Sequence, residues 1–117
     1  LQKTLIYYIK YNRGEKLSEE KPKVVILPSV SICHDEKDEG YDIEVELPGV
    51  EKKDIELYFW SRGFCVDGNK KDLTYSGCYT LAHDVKIDEV KAKFESGLLK
   101  IKAPFKEKLR AKKVPIE

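Results

Sequence analysis

A chain of 117 residues has room for one domain with a modest core, and 22 Lys+Arg against 21 Asp+Glu leave a formal charge of +1. That balance argues against a dedicated nucleic-acid binder, which carries a basic excess, and no apolar run approaches the roughly 18 residues of a membrane span. Five prolines and seven glycines suit turns rather than disorder. No signal-peptide pattern opens the chain, and the missing initiator methionine suggests that the sequence begins after the true start.

The first twelve residues are rich in apolar and aromatic side chains: Leu5, Ile6, Tyr7, Tyr8, Ile9 and Tyr11. β-Branched and aromatic content favours a strand there, while a short amphipathic helix also fits. Asn12-Arg13-Gly14 breaks the pattern, a charged linker follows over 13–23, and the apolar run Val24-Val25-Ile26-Leu27 stops at Pro28. Residues 1–28 thus read as an N-terminal arm.

From Ser29 the strands come in quick succession. Val30 and Ile32 lead through Cys33 to an acidic turn over 35–40. Tyr41, Ile43, Val45 and Leu47 then alternate with Asp42, Glu44 and Glu46, as a half-buried strand does. After the turn Leu47-Pro48-Gly49-Val50, Ile55, Leu57 and Phe59 share one face, opposite Glu56, Tyr58 and Trp60. Phe64-Cys65-Val66 reads as a short strand ending at the turn signal Asp67-Gly68-Asn69. A connection over 70–76 leads to a strand over 77–82, and a connector over 85–90 follows. Last comes a hairpin in which Lys91 to Glu95 alternate up to Ser96-Gly97, and Leu99, Ile101 and Ala103 alternate with Lys100 and Lys102 until Pro104. Many short strands without helical periodicity predict an all-β, antiparallel, immunoglobulin-like sandwich over 29–104. Cys33, Cys65 and Cys78 are an odd number without CxxC spacing. Buried reduced thiols in a cytoplasmic protein are the expectation, one disulfide plus a free thiol the alternative.

Residues 29–104 resemble the α-crystallin domain of the small heat-shock protein family. The matching pieces are the strand from Tyr41 into Leu47-Pro48-Gly49-Val50, then Asp54-Ile55, then Phe64-Cys65-Val66-Asp67-Gly68. Tyr79-Thr80-Leu81 with Val85 follows, and last the A-x-x-x-x-G-x-L pattern of Ala92, Gly97 and Leu99. A sixth piece lies in the C-terminal segment 105–117. After a charged tether, Val114-Pro115-Ile116 is similar to the family's I-x-I/V anchor, with two aliphatics spaced to point the same way from an extended chain. Two departures stand out. The connection over 70–76 is too short for the projecting loop and exchanged strand of the family's non-animal members, and Gly77 occupies the place of a usual arginine.

The resemblance implies an ATP-independent holdase that captures partly unfolded proteins and is not an enzyme. Clients would meet the arm residues Leu5, Ile6, Tyr7, Tyr8, Ile9 and Tyr11. Ile55, Leu57, Phe59, Ala92 and Phe94 would border an apolar groove, and Val114, Pro115 and Ile116 would anchor a tail in it, within one chain or on a neighbour. With the exchanged strand missing, self-association is expected to stop at a dimer or small oligomer. The alternative is an interaction module like the CS domain of co-chaperones, which shares the sandwich and lacks that strand.

No other chemistry gathers support. In Cys33-His34-Asp35, neighbours on a strand point to opposite faces, and these residues with His83-Asp84 read as surface polar groups at strand ends. The cysteines and histidines lack metal-ligand spacing, and no phosphate-binding or dinucleotide motif occurs, so no metal, ATP or other cofactor is expected. Tyr58 and Trp60 read as sheet packing rather than a nucleic-acid platform.

Overall fold

A computed structural model of the chain describes residues 24–108 and 111–117. Among the described residues, eight strands make two four-stranded sheets. They are β1 (Val24–Ile26), β2 (Ser29–His34), β3 (Gly40–Glu46), β4 (Ile55–Trp60), β5 (Gly63–Asn69), β6 (Leu73–Thr80), β7 (Lys91–Glu95) and β8 (Leu98–Pro104). One sheet has the order β1-β6-β5-β4 and the other β2-β3-β8-β7. Among the described residues, helical turns are confined to two 3-10 segments, Lys52–Asp54 and Ile87–Glu89.

The predicted sandwich is therefore the observed one, and alternation builds its core. On β3, Tyr41, Ile43 and Val45 are buried, and their register partners Ala103, Ile101 and Leu99 on β8 are buried with them. Phe64 and Val66 face them from β5. Phe59, Phe64 and Tyr79 stack across β4, β5 and β6 with ring centroids 5.2 and 5.1 Å apart. Each large aliphatic or phenyl side chain fully buried here contributes about 1.5–3 kcal/mol.

The last hairpin turns at Ser96 and Gly97, both with positive φ, the combination that suits a two-residue link between right-twisted strands. Leu47 donates its N–H to the Gly97 carbonyl at 2.7 Å, which ties this turn to the Leu47-Pro48-Gly49-Val50 turn.

Three local expectations need correction. Asp67-Gly68-Asn69 is strand, paired with Ser76, Tyr75 and Thr74, and the turn falls at 70–72, closed by Lys70 N–H to the Leu73 carbonyl at 2.7 Å. Gly68 serves as a small inward residue rather than a turn former, because Leu47 and Val50 pack 3.3–3.5 Å from where its Cβ would sit. Consequently β6 starts at Leu73, four residues before the expected strand. Val24–Ile26, read from sequence as part of the arm, pairs in parallel with Leu73, Thr74 and Tyr75 and completes one sheet.

The cysteines differ from expectation too. Cys65 and Cys78 are disulfide-bonded across β5 and β6, and Cys33 is a free, exposed thiol. Moving the turn explains the pairing, because Asn69 then pairs with Thr74 and the same register brings Cys65 opposite Cys78.

Candidate functional site

Two edges, open among the described residues, flank the sandwich on the strands that the sequence assigned to a groove. β4 ends one sheet and β7 the other. Period-two patterning turns Ile55, Leu57 and Phe59 of β4 inward, yet each stays only partly buried, because an edge strand has neighbours on one side alone. Phe94 of β7 is likewise half-buried against the core, while Ala92 is exposed. On the other side of β4, Tyr58 and Trp60 are 47% and 44% exposed. Apolar side chains thus line β4 on both faces. The β7 edge carries Lys91, Lys93 and Glu95, charges of the kind that discourage edge-to-edge pairing.

The tail does not fill these edges. Val114 is 73% and Ile116 97% exposed, so the anchor residues stand in solvent away from their own sandwich. The arm residues Leu5, Ile6, Tyr7, Tyr8, Ile9 and Tyr11 lie outside the described residues.

The place of the missing arginine has a physical account. A Cβ at Gly77 would sit 2.5 Å from the Tyr79 hydroxyl oxygen and within 3.0 Å of its ring, so the tyrosine folds over the glycine and takes the space a longer residue would need. The Tyr79 hydroxyl is buried without a hydrogen-bond partner among the described residues, and burial pushes its pKa up from the ordinary phenol value.

Sequence reasoning missed a ring cluster at one end of the sandwich. His34, Tyr41, His83 and Phe105 come from β2, β3, the segment after β6 and the segment after β8. The two imidazoles are 5.5 Å apart by centroid, and Tyr41 and Phe105 meet edge to face at 4.9 Å. His83 donates its backbone N–H to the Tyr41 hydroxyl at 2.9 Å, and His34 Nδ1 lies 3.3 Å from Asp38 Oδ1. The cluster joins the two sheets; hydrophobic alternation carries no signal for a contact between residues 49 positions apart. Cys33 faces Asp42 in the register while His34 faces Tyr41, so the thiol points away from both imidazoles and no nucleophile–base pair forms. Among the described residues, no three His, Cys, Asp or Glu side chains converge as metal ligands.

Comparison with known proteins agrees with this architecture. The model of the Hsp20/alpha crystallin family matches residues 34–117. Small heat shock protein C2 of Rickettsia felis is 29% identical over 108 residues, covering 79% of this chain and 69% of that protein. Small heat shock protein C4 of the same organism is 32% identical over 108 residues, covering 79% of this chain and 65% of that protein. The chain thus spans about two thirds of the length of these relatives. Among solved structures, heat shock protein 16.0 from Schizosaccharomyces pombe superposes with a TM-score of 0.62 at 25% identity, over 78% of this chain and 98% of that one. A small heat-shock protein from Xylella fastidiosa shares the fold, with a TM-score of 0.59 at 16% identity over 78% of this chain and 96% of that one. Sandwich, hairpin signature and family match together establish that this chain belongs to the Hsp20/alpha crystallin family.

Proposed function

We propose that the chain acts as an ATP-independent holdase, a non-enzymatic chaperone that binds partly unfolded proteins and keeps them from aggregating. The observation that carries this reading is the pairing of an apolar open edge on β4 with an apolar tail motif left in solvent. In a protein with no need for partners, both are liabilities. In a holdase the edge receives extended apolar segments, either from a client or from the Val114-Pro115-Ile116 tail of a neighbouring copy. Burying Val114 and Ile116 contributes on the order of 3–5 kcal/mol before ordering costs, which leaves a latch weak enough for a client to displace. Self-association through such tails gives a dimer or small oligomer. Client contacts extend to the arm residues Leu5 to Tyr11. Residence in the cytoplasm was expected from three reduced thiols, and it loses that support with the Cys65–Cys78 bond.

A co-chaperone adaptor like the CS domain is the second reading, favoured by the tight β5–β6 turn at 70–72, which leaves no projecting loop. An aggregation assay with a model client separates the two. Protection near equimolar ratio supports the holdase, and specific binding to one ATP-driven chaperone without protection supports the adaptor.

A further inference from the structure

β2 is an edge strand that carries none of the usual protections against pairing with another chain. Among the described residues it has a neighbour on one side alone, β3, and its register with β3 runs from Ser29 to His34 without a bulge. Its sequence, Ser29-Val30-Ser31-Ile32-Cys33-His34, holds no lysine, arginine, carboxylate or proline, whereas the β7 edge presents Lys91, Lys93 and Glu95. Ser31, Cys33 and His34 are exposed, and Ile32 keeps 38% of its surface in solvent. β1 ends the other sheet and is joined to β2 by Leu27-Pro28 alone. The exposed side chains of Val24, Ile26 and Leu27 therefore lie on the same side of the sandwich.

Backbone geometry says which groups of β2 are open. Asp35 donates its N–H to the Gly40 carbonyl at 2.9 Å, in the register that continues through the β2–β3 ladder. Hydrogen-bonded and non-hydrogen-bonded pairs alternate in an antiparallel ladder. Ser29, Ser31 and Cys33 therefore bond to β3, and the N–H and C=O groups of Val30, Ile32 and His34 point away from it. Pro28, the next residue facing that way, has no N–H to offer. The open edge is thus centred on Ile32, with one donor and one acceptor there and on either side of it.

We propose that β2 pairs antiparallel with β2 of a second copy, about a two-fold axis at Ile32, so that the two sheets become one. In that register Ile32 faces the partner's Ile32, and Val30 faces the partner's His34. Every open donor and acceptor of each strand is used, because each facing pair exchanges both of its bonds. Sliding the strands by two residues brings Pro28 into the ladder or runs past His34, and one facing pair is lost. The contact uses one surface twice and closes on itself. The two Ile32 side chains, as cross-strand neighbours, leave water together. Charge does not oppose the seam. Asp42 and the partner's Glu44 share a row on the outer face but stand three strand spacings apart, roughly 14 Å, beyond the ~8–10 Å Debye length of ordinary buffers. Asp35, closer to the seam, turns its carboxylate back onto the N–H groups of Lys37 and Glu39. A second β2 is favoured over an unrelated extended segment because it brings the same charge-free alternation and the same two ends. The ladder stops at Pro28 in one copy and at the turn after His34 in the other.

Two measurements on the full chain test the contact. The register sets Cys33 directly opposite the partner's Ser31 and puts the two Cys33 residues on a diagonal of about 7–8 Å, too far for a disulfide without backbone movement. The parent is mixed with the double variant Ser31→Cys with Cys33→Ser, and diamide is added as oxidant; the Cys65–Cys78 bond leaves each chain one free thiol. A disulfide-linked pair with one chain of each kind is expected in the mixture, at least about 10-fold more abundant than linked pairs in either protein alone. No linked pair in the mixture, or as much from the parent alone, overturns the proposal. Sedimentation then compares the parent with Ile32→Lys, which sets two ammonium groups opposite each other, and with Ile87→Lys, the same change at an exposed position on the 3-10 turn Ile87–Glu89. Circular dichroism first shows each to be folded. A dimer dissociation constant raised at least about 10-fold in Ile32→Lys alone is expected. Equal constants in all three, or a parent that sediments as a monomer throughout, overturn the proposal. Neither measurement uses a client, so the holdase reading stands or falls separately.

Discussion

Cys65 on β5 and Cys78 on β6 face each other directly, 4.1 Å apart at their Cα atoms, and their disulfide staples the middle of the sheet that carries the apolar β4 edge. Cys33 is left as the free thiol. A thiol reagent applied to the unreduced native protein should therefore modify one cysteine of the three, and all three after reduction and unfolding. Three reactive thiols in a sample never exposed to reductant would contradict the bond.

The same bond constrains the unfolded chain. With the partners 13 positions apart in the sequence, loop closure predicts that Cys65→Ala with Cys78→Ala costs roughly 2–3 kcal/mol of stability in denaturant unfolding. The sandwich should still form, since the register of β5 with β6 rests on a full ladder of backbone pairs. Unchanged stability would mean that the hairpin is already closed in the unfolded ensemble.

Tyr79 is expected to be a site where removal of an atom helps. Its buried hydroxyl lacks a partner among the described residues, so Tyr79→Phe should raise stability at neutral pH by about 1 kcal/mol. Burial raises the phenol pKa in the folded state. The unfolded chain therefore ionises first, and stability declines as pH rises from about 10 upward. The variant should lose less over that window. Parallel stability curves for the parent and the variant above pH 10 would refute this account.

Gly40 opens β3 where the backbone of β8 lies too close for any side chain. A Cβ there would meet the Ala103 carbonyl oxygen at 2.7 Å and Pro104 Cα at 2.8 Å, both backbone atoms. Gly40→Ala should destabilise by about 1–3 kcal/mol through forced separation of the strands. Thermal melting checks this, and a midpoint equal to that of the parent would count against the close approach.

Hydrophobic period made most of the fold legible. The runs through Tyr41 to Leu47 and Leu99 to Ala103 place the same residues in the core that are found there. What stayed hidden depended on register and on distant contacts. Asp-Gly-Asn is a common turn sequence, but here it is held in a strand by pairing with β4 and β6, with Leu47 and Val50 packed over Gly68. Once the turn was misplaced, the facing cysteines could not be seen. β1 is three residues long and parallel to a strand nearly fifty positions later, a pairing that no local pattern announces. The candidate edge was legible on β4 and less so on β7, where Ala92 is exposed instead of lining a groove. The pattern of Val114 and Ile116 predicts a docked tail but not on which copy, and within this chain both residues stand exposed.

The tail provides a fifth expectation. Val114→Ala with Ile116→Ala should weaken self-association by roughly ten-fold, since ten-fold corresponds to about 1.4 kcal/mol and only part of the gross burial survives ordering costs. Sedimentation over a concentration series reads this. An unchanged profile would make the tail a solvated end with no anchoring role.

The decisive experiment is light scattering from a thermally denatured model client, followed with and without an equimolar amount of this chain and with no nucleotide present. The holdase account predicts that scattering is largely suppressed, and that added ATP changes nothing. Scattering as strong with the chain as without it would contradict the account.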